Sequence, residues 1–343
     1  MNKNYRLSRT KKPTLADVAK LAGVSLGSAS RALSVPEQVK PTTLEKVNQA
    51  VSQLGYIRDG SARALASRRT HTIAAIYPTL NNPIFAQSTH SMQQALWDRG
   101  YQLLIASHEY HTQDELPIVR ATLERGVDGI IMVGTDHSEE VFSILSQLNM
   151  PYVLTWSVDD SHYPYCVGIS NFDASYELAQ YVLKHGHTRI AICGGPIENN
   201  ERSRGRRNGI LTAAAHAGIE VPEKWMTIQP FSYKGGRQGL RELWALEDRP
   251  TVLFCGTDLQ AIGALYECQM LGIRVPEDLS IVGFDGMEEA TMVHPKLTTI
   301  RIPADEIGSR AALLMLELLA GHTPPIELPI KTVIIPGESL GRV

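Results

Sequence analysis

The sequence predicts a small all-α N-terminal head followed by an α/β core whose two lobes are built on parallel sheets. Three observations support this fold class. Three short helical patterns lie between Thr14 and Leu54, and short apolar runs alternate with longer helical patterns after Arg69. The chain is also long, with 343 residues of which 43% are hydrophobic. Because roughly 270 alternating residues exceed what one sheet usually takes, we expect two lobes.

The formal charge is divided unevenly along the chain. Residues 1–70 contain 13 Lys+Arg and 4 Asp+Glu, a balance of +9, whereas residues 71–343 contain 20 basic and 32 acidic residues, a balance of −12. The net charge of −3 conceals this difference. A basic head on an acidic body indicates a polyanionic partner, either nucleic acid or a membrane surface.

Cysteine usage and hydropathy predict a cytoplasmic protein. Cysteines are scattered without metal-ligand or C-x-x-C spacing, which is typical of buried thiols in a reducing compartment; they are Cys166, Cys193, Cys255 and Cys268. No apolar run approaches the roughly 18 residues of a membrane span, and no apolar segment follows the first positive charges. Residues 1–12 are expected to be a disordered basic arm.

The head begins with two helices joined by a tight turn. Thr14 and Asp17 form the pattern of a capping box that opens the first helix. Gly23 follows its last apolar residue, where a left-handed turn is needed. Ser25 is placed to cap a second helix over Leu26–Leu33. Helix, tight glycine turn and second helix is the helix-turn-helix layout.

A third helix is predicted over Pro41–Leu54. In a helix-turn-helix the second helix lies in the major groove with its first residues toward the base edges. Leu26, Gly27 and Ser28 take that position, and Arg31 follows one turn later. Arg31 either pairs with a guanine edge or binds only phosphate, and its helical phase favours the base contact. The alternative, a three-helix interaction bundle, explains the charge of +9 less well than DNA binding does.

The core is divided into candidate strands and helices by the period of its apolar residues. The predicted strands are Thr72–Tyr77, Gln102–Ala106, Gly129–Val133, Tyr152–Thr155, Arg189–Cys193, Thr251–Phe254 and Ser280–Gly283. The predicted helices are Phe85–Asp98, Leu116–Arg125, Ser138–Leu148, Ala174–His185, Arg206–Ala217, Leu240–Leu246 and Leu259–Leu271. The polar stretch Trp156–Tyr165 is expected to carry the chain from one lobe to the other.

The enzyme-like motifs of the sequence do not have the structural context that their chemistry requires. Gly23–Gly27 matches the G-x-S-x-G nucleophile elbow, but that motif needs a preceding strand and here follows a helix. The pair His185 and His187 suggests a metal site, although the polar end of a helix with a glycine stop explains it better. The sequence has no P-loop, dinucleotide-binding fingerprint, H-E-x-x-H or EF-hand loop. We therefore expect no catalytic residue, no cofactor and no metal.

The segment 58–70 links the head to the core. It is alanine-rich, with Leu65 as its one large apolar side chain. A stretch of this length is too short to be a stable helix in water. We expect it to be disordered alone and helical on a partner.

Taken together, the motifs resemble those of the LacI/GalR family of bacterial transcription regulators. The resemblance runs from Thr14 almost to the C-terminus. In the head and linker it rests on Thr14-Leu-Ala-Asp-Val-Ala-Lys-Leu-Ala-Gly-Val-Ser25, Ser30-Arg-Ala-Leu33, and Leu54-Gly-Tyr56 followed by Leu65. In the core it rests on Asn82-Pro-Ile-Phe85, Gly126-Val-Asp-Gly-Ile130, His185-Gly-His187, Arg274-Val-Pro-Glu-Asp278, Ile281-Val-Gly-Phe-Asp285 and Leu297-Thr-Thr299.

The resemblance implies four segments: an arm (1–12), a helix-turn-helix domain (13–57), a hinge helix (58–70) and a two-lobed core (71–343). The core is expected to resemble periplasmic sugar-binding proteins and to bind a small effector in its cleft. Leu65 falls on the hinge leucine that wedges into the minor groove, which implies a homodimer on a near-palindromic operator. The predicted DNA contacts are Thr14, Ser25, Leu26, Gly27, Ser28, Arg31, Tyr56, Ala62, Leu65 and Ala66.

Effector residues are carried over where motifs match. Arg206 falls on the arginine that grips ligand oxygens, and Asp285 on the acid that accepts from ligand hydroxyls. Thr257 replaces the asparagine common in the family. Phe85 and Phe231 fall near positions that supply an apolar or stacking face, and Trp156 is a further candidate. Core packing is the alternative role for each aromatic. The predicted effector residues are thus Phe85, Trp156, Arg206, Phe231, Thr257 and Asp285.

Four arginines, Arg202, Arg204, Arg206 and Arg207, lie around one predicted helix start. They form either a solvated face or an anion site. Val35-Pro-Glu-Gln-Val39, Glu267-Cys-Gln-Met-Leu-Gly272 and Asp173 look closest to gluconate-type repressors, so we hypothesise a sugar-acid effector.

The function predicted from the sequence is a DNA-binding transcriptional regulator, a repressor whose operator affinity responds to a sugar or sugar acid. When bound to DNA it would be associated with the nucleoid. Two rivals share the α/β core architecture: a solute-binding receptor for sugar uptake and a sugar-processing enzyme. The basic head and the failed enzyme motifs disfavour them.

Overall fold

The computed structural model describes residues 12–58, 69–158, 162–326 and 328–343. The chain divides into two compact units, Met1–Thr70 and His71–Val343. Most of the predicted arm lies outside the described residues. The predicted hinge contacts Ala62, Leu65 and Ala66 also lie outside them, so their role stays a prediction.

The head contains the three predicted helices. They are α1 (Leu15–Ala22), α2 (Leu26–Ser34) and α3 (Pro41–Leu54). The predicted capping box at the start of α1 is present. Thr14 Oγ1 accepts from the Asp17 amide at 3.3 Å, and Asp17 Oδ2 accepts from the Thr14 amide at 2.8 Å. Two of the otherwise unpaired amides at this helix end are therefore satisfied.

A sharp turn sets α2 across α1. Gly23 has a φ of 65°, in the left-handed region that the prediction required. Ser25 then caps α2 by accepting from the Ser28 amide at 3.1 Å. The head core consists almost entirely of alanine and valine, which let the helices approach closely: Val18, Ala19, Ala22, Ala29, Ala32, Val47 and Ala50.

The first lobe of the core is a five-stranded parallel sheet with strand order β2-β1-β3-β4-β5. Its strands are β1 (Thr72–Tyr77), β2 (Gln102–Ser107), β3 (Gly129–Val133), β4 (Tyr152–Thr155) and β5 (Cys166–Val167). Its helices are α4 (Pro83–Trp97), α5 (Glu115–Glu124) and α6 (Glu139–Gln147). Strands β1 and β3 are buried along nearly their whole length, as expected of parallel strands covered on both faces.

The second lobe is a four-stranded parallel sheet with strand order β7-β6-β8-β9. Its strands are β6 (Ile190–Gly194), β7 (Met226–Ile228), β8 (Val252–Cys255) and β9 (Ser280–Val282). Its helices are α7 (Asn171–Leu183), α8 (Glu201–His216), α9 (Tyr233–Trp244), α10 (Asp258–Leu271) and the short α11 (Glu289–Met292). Helices α7 and α8 pack along each other, as do α9 and α10.

The chain leaves the first lobe later than the sequence predicts. Residues expected to lie in the crossing still belong to the first sheet, because the Leu154 amide donates to Tyr165 O at 2.9 Å and the Trp156 amide to Val167 O at 3.0 Å. The chain passes to the second lobe only between β5 and α7. The prediction that Trp156–Tyr165 carries the crossing is therefore wrong, because the short edge strand β5 is enough to extend the sheet.

The chain returns to the first lobe near its C-terminal end. Strand β10 (Thr299–Arg301) leads to α12 (Ala304–Leu319), which packs against α4 of the first lobe. Strand β11 (Val333–Ile335) then pairs with β10 in antiparallel orientation. The C-terminal segment therefore contacts elements of both lobes.

Two helices begin at least five residues earlier than predicted. Helix α8 starts at Glu201 because Asn200 caps it, accepting from the Ser203 amide at 3.3 Å. Helix α9 starts at Tyr233, since Ser232 Oγ accepts from the Gly235 amide at 3.1 Å. With this start, Arg202 and Arg204 lie in the first turn of α8, and Arg206 and Arg207 lie in the second turn.

Candidate ligand-binding site and DNA-binding surface

The six predicted effector residues come together around one small cavity between the two lobes. Phe85 on α4 and Trp156 after β4 belong to the first lobe; Arg206, Phe231, Thr257 and Asp285 belong to the second. The cavity has a volume of about 30 Å³. Residues that are distant in the sequence thus share one site, while their role as ligand contacts stays a prediction.

The guanidinium of Arg206 is fixed on several sides. Its Nε donates to Asn171 Oδ1 at 2.9 Å, and its Nη1 donates to Gly256 O at 2.7 Å. Its Cζ lies 3.8 Å from the centre of the Phe284 ring, a cation–π contact. Burial lowers the pKa of Arg206, and the nearby Asp285 opposes that shift. The geometry pre-orients a cation at the edge of the cavity.

Asp285 presents a buried carboxyl group to the same cavity. It is 1% exposed, and its Oδ2 makes no hydrogen bond of normal geometry among the described residues. Burial raises the pKa of Asp285 to about 8, although Arg206 and Asn82 act in the opposite direction. Its φ of 129° is a strained backbone conformation of the kind that collects at functional sites.

The aromatic residues form two contacts around the cavity. Phe85 and Trp156 meet edge to face with ring centroids 4.9 Å apart, and both are buried. Phe231 lies 5.5 Å from Tyr110, so this second contact joins the lobes. Trp156 has a φ of 69°, again in the left-handed region. Phe85 and Trp156 therefore pack in the core and line the cavity at once.

Several polar residues of the site were not predicted. Asn82, Tyr110, Asn200, Arg202 and Ser203 also line the cavity. Asn82 opens the motif Asn82-Pro-Ile-Phe85, and it caps α4 by accepting from the Ile84 amide at 3.2 Å. Tyr110 carries no sequence signal, because only the approach of the two lobes places it there. Burial raises the pKa of Tyr110 to about 12.

Thr257 and Asp258 have different roles. Thr257 lines the cavity and caps α10, since its Oγ1 accepts from the Gln260 amide at 3.4 Å. Asp258 is fully buried behind it, accepting from Thr299 Oγ1 at 2.6 Å and from the Met287 amide at 2.8 Å. Burial raises the pKa of Asp258 to about 6. Both carboxyl oxygens of Asp258 thus accept hydrogen bonds from within the protein.

The arginines of α8 are mostly buried or paired. Arg202 is buried and pairs with Glu201 at 3.0 Å. Arg204 pairs with Asp136 of the first lobe and donates to Ile197 O at 2.7 Å. The predicted solvated face is therefore wrong for Arg202 and Arg206, whose side chains are 11% and 13% exposed. The predicted anion site stays a prediction, since Arg206 lines the cavity. Arg207 differs, because its Nε makes no hydrogen bond among the described residues.

The two histidines suggested as a metal pair have other partners. His187 Nδ1 lies 3.0 Å from Thr251 Oγ1, and its Nε2 lies 3.2 Å from Gly341 O. His185 Nδ1 lies 2.9 Å from Tyr181 O. Across residues 12–58, 69–158, 162–326 and 328–343, no group of three His, Cys, Asp or Glu side chains is arranged to hold a metal ion. Within the same ranges, no helix is long and apolar enough to span a membrane.

The predicted DNA-binding residues of the head lie largely on its surface. Leu26 is a large apolar side chain that is 55% exposed at the first position of α2. Arg31 is exposed, and its Nε donates to Gly27 O at 3.4 Å, so both residues lie on one face of α2. Ser25 and Thr14 are exposed, whereas Ser28 is half-buried and Tyr56 packs against the head core. Their contacts with DNA stay predictions.

Comparison with known proteins matches both units. Residues 14–59 match the bacterial regulatory proteins of the lacI family, and residues 179–340 match the periplasmic binding protein-like domain. Catabolite control protein A of Priestia megaterium is 30% identical over 310 residues, which cover 90% of this chain and 93% of that protein.

Solved structures agree with these matches. The transcription regulator GntR from Chromobacterium violaceum is 33% identical, with a TM-score of 0.74 over 78% of this chain and 99% of that chain. The complex of the transcriptional regulator CelR with cellobiose is 29% identical, with a TM-score of 0.70 over 95% of this chain and 99% of that chain.

Proposed function

This chain belongs to the LacI family of bacterial regulatory proteins and is a DNA-binding transcriptional repressor under the control of a small effector; from that premise we propose that the effector is a sugar acid bound between Arg206 and Asp285. The observation that carries the proposal is the buried carboxyl of Asp285. Its Oδ2 lacks a normal hydrogen bond among the described residues, and the residue lines the inter-lobe cavity. A buried polar atom without a partner is expensive, and a ligand group would satisfy it.

The cleft must open for such a ligand to bind. A cavity of about 30 Å³ holds little more than one or two water molecules. Contacts such as Arg204 with Asp136 and Phe231 with Tyr110 hold the lobes together across it. Binding therefore exchanges these contacts for contacts with the ligand. This changes the relative positions of the lobes, which is a hinge or shear transition of a familiar kind.

We assign DNA reading to α2, with Ser25, Leu26, Gly27 and Ser28 toward the base edges and Arg31 on a guanine. The protein would act as a homodimer on a near-palindromic operator, because two symmetric heads read two half-sites. Tyr56 and Thr14 are assigned to positioning contacts with the phosphates. The charge of +9 over residues 1–70 supports a strong dependence of this binding on salt.

The choice of a sugar acid rests on Arg206 and on the sequence motifs shared with gluconate-type repressors. A guanidinium fixed by Asn171 and Gly256 suits a ligand carboxylate. A protonated Asp285 can donate to the same carboxylate, whereas an ionised one would repel it. The solved complex of the related regulator CelR with cellobiose supports a carbohydrate-type effector. We expect no turnover of the ligand and place the protein in the cytoplasm, on chromosomal DNA.

Calorimetry with a panel of aldonates and the matching neutral sugars tests the ligand class. We expect an aldonate to bind and its neutral counterpart to bind at least about tenfold more weakly, because only the acid pairs with Arg206. Arg206→Lys keeps the positive charge but loses the planar, two-pronged set of donors. We therefore expect this variant to bind the acid more weakly and the neutral sugar with nearly unchanged affinity. Binding of neutral sugars alone would refute the assignment.

A further inference from the structure

A larger cavity lies inside the second lobe, beside the site described above. It has a volume of about 160 Å³. Its walls come from α7, α8 and the sheet and are mainly apolar, including Leu178, Ile192, Ile210, Met226 and Phe254. A dry apolar cavity of about 150 Å³ is large enough to bind benzene. The cavity thus has room for one compact ring.

Two polar atoms in this apolar wall have no partner. Ser175 Oγ and Arg207 Nε are both buried, and neither makes a hydrogen bond among the described residues. Ser175 is only 1% exposed. Arg206, the neighbour of Arg207 on α8, by contrast donates to Asn171 and Gly256. Leaving two buried donors unsatisfied costs free energy that an accepting group in the cavity would recover.

The ring of Phe231 separates this cavity from the inter-lobe cleft. Phe231 lines both, and the tip of its ring packs against Gly195, where an added Cβ would come within 1.9 Å of its Cζ. The loop before Phe231 is fixed by the buried Gln260, whose Nε2 donates to Gln229 O at 3.1 Å and to Pro230 O at 3.2 Å. The two cavities are therefore neighbouring spaces that share a wall formed by Ser203, Arg206 and Phe231.

The cavity has its own rim at the edge strand β7. Ile228 on this strand is 56% exposed, and Glu223 just before the strand is also exposed. Solvent screens the charge of Glu223, so that charge has little influence on the buried end of the cavity. This rim gives the cavity a side that faces solvent and not the cleft between the lobes.

We propose that this cavity is a second small-molecule site, for a compact apolar carboxylic acid of about the size of benzoate. Its ring would pack among the aliphatic walls, and its carboxylate would accept from Arg207 Nε and Ser175 Oγ. A ligand in this second site would affect the position of Phe231. Because the ring of Phe231 also contacts Tyr110 of the first lobe, the change would extend to the cleft. The effector and this second ligand would then influence each other's affinity reciprocally.

Calorimetric titration of the full-length protein with benzoate tests the site. Arg207→Met keeps the aliphatic stem and removes the donor, and Met226→Trp fills the cavity. We expect saturable binding to the unsubstituted protein, at least about a tenfold loss of affinity in Arg207→Met, and no binding to Met226→Trp. Arg274→Met, which removes an exposed arginine that lines neither cavity, is the matched control and should leave benzoate affinity unchanged. Asp285→Asn, a substitution in the cleft, reports whether benzoate binds there instead.

Ser175→Ala supplies a second, milder test should Met226→Trp fail to fold, and it should weaken benzoate severalfold. Benzamide lacks the negative charge of benzoate. It should bind the unsubstituted protein more weakly than benzoate does, whereas the two compounds should bind Arg207→Met with equal affinity. The proposal is overturned by three outcomes: no saturable benzoate binding, full affinity in both Arg207→Met and Ser175→Ala, or loss of binding in Asp285→Asn alone. The last would place benzoate in the cleft.

Discussion

Arg206 Nη1 lies 3.6 Å from Asp285 Oδ1, and both side chains are largely buried at the wall of the inter-lobe cavity. The pair joins α8 to the end of β9. Neither partner is saturated by the other, because Asp285 Oδ2 makes no normal hydrogen bond among the described residues. The buried oxygen without a partner lowers the stability of the protein, and the same oxygen can contact a ligand. This combination is expected of a binding site.

Removal of one partner should reveal how strongly the pair is coupled. In Arg206→Met the acceptors Asn171 Oδ1 and Gly256 O lose their donor and Asp285 loses its neighbouring cation, so we expect a loss of about 1–3 kcal/mol in the free energy of unfolding. The double variant Arg206→Met/Asp285→Leu should recover part of that loss, as measured by denaturant titration in a double-mutant cycle. Arg274→Met is the matched control, since its ion pair with Asp278 is exposed and should matter little. Additive effects of the two cleft substitutions would contradict this coupling.

The pKa of Asp285, raised to about 8, predicts a loss of stability as the pH rises toward that value. In the folded protein the carboxyl keeps a proton that the unfolded chain has already released above its ordinary pKa of 3.8. The stability contributed by this group is full below pH 3.8 and is lost as the pH rises through the folded pKa. Asp258, with a pKa of about 6, has finished titrating by then.

Unfolding of the ligand-free protein should therefore be compared with that of Asp285→Asn from about pH 7 to pH 9. Burial raises the pKa of Cys193, Cys255 and Cys268, so these thiols add a loss of stability toward pH 9 that the two proteins share. We expect the difference in the free energy of unfolding between the two proteins to change at the start of this interval and to become constant once Asp285 is ionised in the fold. A constant difference over the whole interval would show that Asp285 is already ionised at neutral pH.

The same proton should control ligand affinity. A neutral Asp285 can donate to the carboxylate of a sugar acid, so binding of the acid should weaken as pH rises through about 8. A neutral polyol would instead gain from an ionised acceptor and bind more tightly over that range. Calorimetry in two buffers of different ionisation enthalpy measures the proton uptake or release directly. Tighter binding of an aldonate at alkaline pH would count against the proposed contact.

Arg31 should contribute sequence specificity. Arg31→Ala is expected to weaken operator binding by about 1–3 kcal/mol, roughly 5–150-fold, if the side chain reaches a guanine edge. Binding to random DNA should fall much less. Lys46→Ala removes an equal charge from the exposed side of α3 and is the control. An equal loss of affinity for operator and for random DNA would show that Arg31 contacts only phosphate.

Leu65→Ala tests the hinge segment, which lies outside the described residues and whose role rests on the sequence. An apolar wedge in the minor groove stabilises a kinked operator, so its removal should weaken specific binding far more than nonspecific binding. Parallel titrations on operator and random DNA check this. A specificity ratio equal to that of the unsubstituted protein would refute the wedge.

Local signals made the head predictable. The capping residue Thr14, the turn at Gly23 and the cap at Ser25 each act within a few residues of the chain, and the structure has all three. The alternation of strand and helix in the core is equally local. Arg206 and Asp285 could be assigned to the site from the sequence because each residue lies within a motif of its own.

Long-range packing could not be predicted in the same way. Tyr110 meets Phe231 only because two lobes close on each other, and no pattern near Tyr110 indicates this. The cavity with Ser175 and Arg207 depends on the separation of α7 and α8 from the sheet, which the sequence does not encode locally. Helix α12 was missed for a related reason, since it follows two crossings of the chain and breaks the simple alternation.

Operator titration with and without the aldonate identified by calorimetry tests control by the effector most directly. For the unsubstituted protein we expect the ligand to change the operator Kd by about 5–150-fold, corresponding to a coupling energy of about 1–3 kcal/mol. Arg206→Lys should bind operator normally in the absence of ligand and show a much smaller change in its presence. An operator Kd that stays constant while the ligand saturates the core would contradict allosteric control through this cleft.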